Sequence, residues 1–219
     1  MSGQPPEDRF LKSAYQVRSA AETRALYDQW ADTYDIELTR ENDYAQPRRC
    51  ADMLERFQPD LSGTVLDVGC GTGLSGGALL EHGYRKIDGC DLSPGMLAKA
   101  KQTGIYGRLF EANLNEPKMD ALPAYYASAV AVGVFSFGHV GPDALDDILR
   151  VMKPGGILVI GLNEHFYDEG SLTAKLIALS GAGRIDRLAE EHGDHITGAG
   201  LTGWVIAVRK SRSEAEAQA

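Results

Sequence analysis

A doubly wound α/β fold, a mainly parallel sheet with helices on both faces, is what this 219-residue sequence predicts. Three observations predict it. Short apolar runs alternate with stretches of helical periodicity, the pattern of strand–helix–strand units. Runs such as Ala129-Val130-Ala131-Val132-Gly133-Val134-Phe135 are apolar at successive positions, as strands covered on both faces require. The first run, Thr64-Val65-Leu66-Asp67-Val68, ends in glycines that lead into a helix.

The elements follow in order. Residues 1–18, with Pro5-Pro6 and scattered charges, read as a flexible tail. Residues 20–38 carry Tyr27, Trp30, Ala31 and Tyr34 at the i, i+3, i+4, i+7 spacing of one helix face. A second helix over 47–57 has Pro47 at a first-turn position, and residues 19–58 together form an N-terminal helical cap. The main domain occupies 59–210. Strand 64–68 precedes helix 74–81, which Gly83 closes, and strand 86–91 follows. Ser93-Pro94 is an N-cap with a first-turn proline, opening a helix through Gln102. A short strand lies near 109–112 and a buried one over 129–135. Leu145, Ile148, Leu149 and Met152 put an apolar stripe on a helix that Pro154-Gly155-Gly156 stops. Strand 157–162, helix 172–179 and strand 204–208 complete the readable part. The sixth strand is expected near 184–188, and 211–219 reads as a disordered tail.

Composition narrows the classes of function. No apolar run approaches the ~20 residues that span a bilayer, and the polar start, residues 1–10, has no apolar segment of a secretion signal. Cys50, Cys70 and Cys90 form no CxxC pair, so reduced thiols and a cytoplasmic location are expected. Twenty-two basic and thirty-one acidic side chains give a charge of −9, which argues against a nucleic-acid partner. Arg48, Arg49 and Arg56 are close in sequence, but a solvated helix face is the plainer reading. His192 and His195, three apart in a glycine-rich loop, are too little for a metal site, and none is expected.

The informative segment is Val65-Leu66-Asp67-Val68-Gly69-Cys70-Gly71-Thr72-Gly73. Its spacing is G-x-G-x-G, and Leu74 stands where the dinucleotide fingerprint needs a third glycine. No Lys-Ser/Thr pair completes a phosphate loop. Asp67, just before the glycines, attracts a cation and repels a pyrophosphate. Asp91 ends the next strand, poised to accept hydrogen bonds from two ribose hydroxyls. The ligand implied is a positively charged nucleoside without phosphate, a description that S-adenosylmethionine matches.

These residues resemble motif I of the class I methyltransferases. Asp88-Gly89-Cys90-Asp91-Leu92-Ser93-Pro94-Gly95-Met96-Leu97 is similar to the family's second-strand acidic motif. Val151-Met152-Lys153-Pro154-Gly155-Gly156-Ile157-Leu158-Val159-Ile160 resembles its fifth-strand entry, and Tyr27-Asp28-Gln29-Trp30-Ala31-Asp32-Thr33-Tyr34-Asp35 its N-terminal helix. Within the superfamily, the likeness over 24–163 is greatest to the Williams–Beuren-region methyltransferase-like proteins. It implies a seven-stranded Rossmann-like sheet, last strand antiparallel, that binds S-adenosylmethionine and releases S-adenosylhomocysteine. By the same resemblance Asp67, Gly69, Gly71 and Gly73 line the methionine portion, and Asp91 holds the ribose. Leu92 and Met96 flank the adenine, Asn113 and Leu114 complete its pocket, and Gly133 and Val134 pass near the sulfonium. Many relatives carry Asp where this chain has Asn113, and a strand opening Tyr-Asp where it has Tyr126-Ala127. Cys70 and Cys90 fill small spaces nearby.

On the acceptor side, Tyr27 and Tyr34 are candidates to close over the cofactor, against plain packing of the cap on the sheet. His139, after the fourth strand, is a candidate base, against anchoring the next helix. Asn163-Glu164-His165 follows the fifth strand, where a solvated loop is the plainer reading. A small-molecule acceptor is expected. The alternatives are a regulatory module that binds the cofactor without catalysis, a related S-adenosyl transferase and a nicotinamide-dependent dehydrogenase; the last fails on the glycine spacing and on Asp67.

Overall fold

The alternating pattern folds into one seven-stranded sheet in the computed structural model, which describes residues 22, 24–26, 28, 43–116, 118–136 and 140–212. The elements are α1 (Gln46–Phe57), β1 (Val65–Val68), α2 (Leu74–Glu81), β2 (Ile87–Asp91), α3 (Pro94–Gln102), β3 (Arg108–Glu111) and β4 (Tyr126–Val132). They continue with α4 (Ala144–Val151), β5 (Met152–Asn163), α5 (Glu164–Glu169), α6 (Ser171–Gly181), β6 (Ile185–Ile196) and β7 (Leu201–Lys210). The order across the sheet is β3-β2-β1-β4-β5-β7-β6. Strands β3, β2, β1, β4 and β5 pair in parallel, while β7 pairs antiparallel with both β5 and β6. The chain therefore winds outward in both directions from β1 and β4, and the crevice at their carboxyl ends is where open α/β sheets hold ligands.

Both faces are covered, which is why β1 is buried at all four positions. On one face Leu66, Ala129, Leu158 and Ile160 meet Leu145 and Ile148 of α4 and Leu172 and Leu176 of α6. On the other, Val65, Ile87, Val130, Val159 and Val205 meet Leu79 of α2 and Cys50, Met53 and Leu54 of α1. Helix α1 is thus a layer of the main fold. Its polar side chains serve the sheet as well. Gln46 is fully buried and donates to the Leu162 and Trp204 carbonyls at 3.3 and 2.8 Å. Arg49 donates to the carbonyls of Glu191 (3.0 Å), Asp194 (2.7 Å) and Gly203 (3.2 Å). Arg56 pairs with Glu191 at 2.8 Å. Two of the three clustered arginines therefore fasten α1 to β6 and β7.

Several expectations need correction. The fourth strand is Tyr126–Val132, three residues earlier than 129–135, because Gly133 turns the chain out of the sheet at φ +69°. The fifth, Met152–Asn163, extends past 157–162 at both ends. The sixth strand runs far beyond 184–188, over Ile185–Ile196, so the histidine stretch read as a loop lies on a strand. As an edge strand it leaves most of its length at least partly exposed, with register shifts at two points, and shows no clean apolar alternation. Helix α5 was not anticipated; the Asn163 side chain caps it by accepting the Phe166 N–H at 2.8 Å. Tyr27, Trp30, Ala31, Tyr34 and His139 lie outside the described residues. Among the described residues no helix is long and apolar enough to cross a membrane.

Candidate functional site

The site begins where β1 ends. Gly69, Gly71 and Gly73 take φ of +64°, +53° and +107°, a left-handed path that side chains resist. A Cβ on Gly69 would lie 2.6 Å from Val134 Cγ2, so the turn is pressed against the exit from β4. A Cβ on Gly71 would meet nothing within 4 Å. That open side faces a cavity lined by Tyr44, Pro47, Gly69, Cys70, Gly71, Thr72, Leu74, Ser75 and Val132.

Asp91 ties this turn to the start of α3. Its Oδ2 accepts the Gly71 N–H and its Oδ1 the Ser93 N–H, both at 2.9 Å. Burial pushes this carboxyl above its ordinary range, and the N–H donors of Ser93, Gly71 and Leu92 partly offset that. Each oxygen keeps a lone pair with which to accept a hydroxyl. Ser93 caps α3 by accepting the Met96 N–H at 3.0 Å and donates its own hydroxyl to Asp28. Asp28 also accepts the Gly95 N–H at 3.0 Å, while Arg24 donates to the Leu92 carbonyl at 3.1 Å and pairs with Glu111. Arg24 and Asp28 are thereby held beside the crevice, at the residues expected to flank an adenine.

Asp67 lies beneath the turn rather than on its open side. It is wholly buried; Ser75 Oγ stands 2.9 and 2.7 Å from its two oxygens and Tyr106 donates to Oδ2 at 2.7 Å. Burial raises its pKa to about 6, against the lowering pull of Ser75, Tyr106 and the Gly76 N–H. Met96 is also buried, at 1% exposure, whereas Leu92 is half-buried. Asn113 turns on itself, its Oδ1 accepting the Asn115 N–H at 3.1 Å and its Nδ2 donating to Glu116 at 2.8 Å. Leu114 packs against the core, as does Val134, and Cys70 and Cys90 are buried free thiols. Burial pushes the Cys90 thiol up to about 12, so it is no nucleophile at neutral pH.

Sequence reasoning missed Tyr44 and Tyr106. The hydroxyl of Tyr44 lies over Gly133, 2.8 Å from where a Cβ would stand, beside the crevice between the turn and β4. Its ring meets His195 edge-on, with centroids 5.3 Å apart. His195 is 7% exposed; burial first and the Arg49 charge second lower its pKa to about 4, so its ring is neutral. No motif marks Tyr44, which adjoins α1 in sequence and reaches the turn only through the fold. His192 pairs with Glu164 at 3.2 Å on the exposed edge, and among the described residues no cluster of His, Cys, Asp and Glu could hold a metal.

A family model described as a methyltransferase domain matches residues 65–156, the span from the glycine turn to the entry of β5. The chain belongs to the class I S-adenosylmethionine-dependent methyltransferases. Over 161 residues it is 34% identical to methyltransferase-like protein 27 of Homo sapiens, covering 72% of this chain and 65% of that one. Over 125 residues it is 34% identical to the trans-aconitate 2-methyltransferase of Azoarcus sp., covering 57% and 48%. The chain spans between about half and just under two thirds of these two relatives' length. Among solved structures, Burkholderia thailandensis 1,6-didemethyltoxoflavin-N1-methyltransferase, with 1,6-didemethyltoxoflavin and S-adenosylhomocysteine bound, shares the fold. Its TM-score is 0.60 at 20% identity, over 97% of this chain and 93% of that one. The site fits the family's cofactor on its own chemistry: an unobstructed glycine, a carboxylate with lone pairs to spare, and a buried acid with no basic partner among the described residues.

Proposed function

We propose that this protein transfers the methyl group of S-adenosylmethionine to a small-molecule acceptor by in-line displacement. One observation carries the reading: the open side of Gly71, tied to the Asp91 carboxylate, and the Tyr44 hydroxyl over Gly133 border the same carboxyl-end crevice. When bound, the cofactor supplies a methyl carbon already activated by its sulfonium. The chain's own part is binding, orientation and exclusion of water, and positioning alone is worth ~7–11 kcal/mol of a barrier. We assign Asp91 to the ribose, the Gly69–Gly73 turn to the methionyl end, and Leu92, Met96, Asn113 and Leu114 to the adenine. Gly133 and Val134 border the methyl path. Asp67 acts from beneath the turn through its charge.

To Tyr27, Tyr34 and His139, which the sequence nominates on the acceptor side, we add Tyr44, supported by the position of its hydroxyl over Gly133. The neutral, buried His195 ring packs edge-on against the Tyr44 ring. A small acceptor is supported by a relative whose name specifies trans-aconitate and by a structural neighbour whose name specifies 1,6-didemethyltoxoflavin. The test is release of S-adenosylhomocysteine from S-adenosylmethionine with panels of small carboxylic acids, phenols and nitrogen heterocycles, beside protein and nucleic acid. Acceptor-dependent release with a small molecule supports the reading, and release with macromolecules alone refutes it.

A further inference from the structure

Asp67 presents a physical problem that the cofactor site alone does not resolve. A carboxylate with no exposure to water should be neutral or paired with a cation. Among the described residues no Lys, Arg or His pairs with it. The titratable groups that feel its charge are Asp91 and Cys90 on β2, Cys70 in the turn, Cys50 on α1 and Tyr106, and none is cationic. Three neutral donors surround it instead: the Ser75 hydroxyl from α2, the Gly76 N–H, and the Tyr106 phenol at 2.7 Å from the connection before β3.

Tyr106 is seated there deliberately by the chain. Its ring and hydroxyl take the space that a side chain on Gly76 would need, and a Cβ on Gly89 would lie 2.9 Å from the ring. Two elements thus lack side chains where the phenol passes between them to reach Asp67. Its donation, like that of Ser75, favours the ionised carboxylate, against burial.

We propose that Tyr106, assisted by Ser75, is a positioning residue for cofactor binding, holding the Asp67 carboxylate ionised beneath the glycine turn so that its negative field meets the cofactor's cationic methionyl end. The proposal rests on the S-adenosylmethionine reading above. The missing countercharge is then supplied by the ligand. Where Asp67 carries a proton in the empty protein, binding the cation releases that proton.

The experiment is calorimetric titration of S-adenosylmethionine into the full chain, its Tyr106→Phe variant and its Ser75→Ala variant, between about pH 5.5 and pH 8.5. Phenylalanine keeps the ring between Gly76 and Gly89 and removes only the donor. Wild-type affinity should be level well above about pH 6 and fall as the pH drops through it. Loss of one hydrogen bond to a charged group should move that fall upward by about one pH unit in Tyr106→Phe. Binding would then be about threefold weaker near pH 6.5 and nearly unchanged near pH 8.5. Ser75→Ala should move it in the same direction, and decides the matter if the phenylalanine variant does not fold. Uniform weakening at every pH, or an unshifted profile, overturns the proposal. No binding by the wild type at any pH overturns the cofactor reading as well, so the two failures are distinguishable.

Discussion

Replacing Asp67 by asparagine should make the empty protein more stable, although it damages the site. The carboxyl is fully buried, and burial raises its pKa from 3.8 to about 6. The native state therefore holds this proton more tightly than the unfolded chain. Between about pH 4 and pH 6 the native state binds more protons, so stability falls as the pH rises, and above about pH 6 the whole deficit is present. Two pKa units at ~1.4 kcal/mol each set that deficit at ~3 kcal/mol. Asparagine keeps the shape, and the hydroxyls of Ser75 and Tyr106 can each donate or accept, so its amide finds partners in both. Loss of the Gly76 N–H acceptor subtracts ~1 kcal/mol or more. A net gain of ~1–2 kcal/mol near pH 7.5 corresponds to a rise of about 2–8 °C in a chain of this size. Thermal melts without ligand, followed by circular dichroism near pH 5, 6 and 7.5, measure it. The gain should be present near pH 7.5 and gone near pH 5. A variant less stable than the wild type near pH 7.5, or a gain that persists near pH 5, refutes the reasoning.

Other substitutions probe the rest of the account. Gly69→Ala forces a left-handed residue at φ +64° against Val134 and should cost ~1–3 kcal/mol of stability and at least tenfold in cofactor affinity, read by melts and calorimetry. Gly133→Ala pushes on the Tyr44 hydroxyl at φ +69°; turnover should fall more than cofactor affinity, in steady-state kinetics set beside a titration. Arg49→Ala strips donors from the carbonyls of Glu191, Asp194 and Gly203, and should cost ~1–3 kcal/mol and speed amide exchange at the paired ends of β6 and β7.

Legibility followed local chemistry. Helices 74–81 and 94–102 could be read to the residue because a left-handed glycine opens one, Ser93 and Pro94 open the other, and both are short-range signals. The buried strands could be read because each stands between two covered faces. Strand β6 could not, since an edge strand needs no apolar face and Asp186, Arg187 and Glu190 look like loop. Asp91 was visible as a strand-end acid in register with the glycine turn. The burial of Asp67 was not, because its partners Ser75 and Tyr106 lie 8 and 39 residues away. Tyr44 was equally hidden, since its neighbours Gly133, just after the central strand β4, and His195, on the edge strand β6, are distant in the chain and no spacing in the sequence joins them.

The most direct test of the cofactor site is a melt of the full chain with S-adenosylmethionine, S-adenosylhomocysteine and NAD added separately. At ~100 times its dissociation constant a ligand stabilises the native state by ~2.7 kcal/mol, a shift of several degrees. Both sulfur nucleosides should raise the midpoint and NAD should not, and a folded Asp91→Ala variant should show no shift with any of them. No shift with either sulfur nucleoside at millimolar concentration, or an equal shift with NAD, would contradict the account.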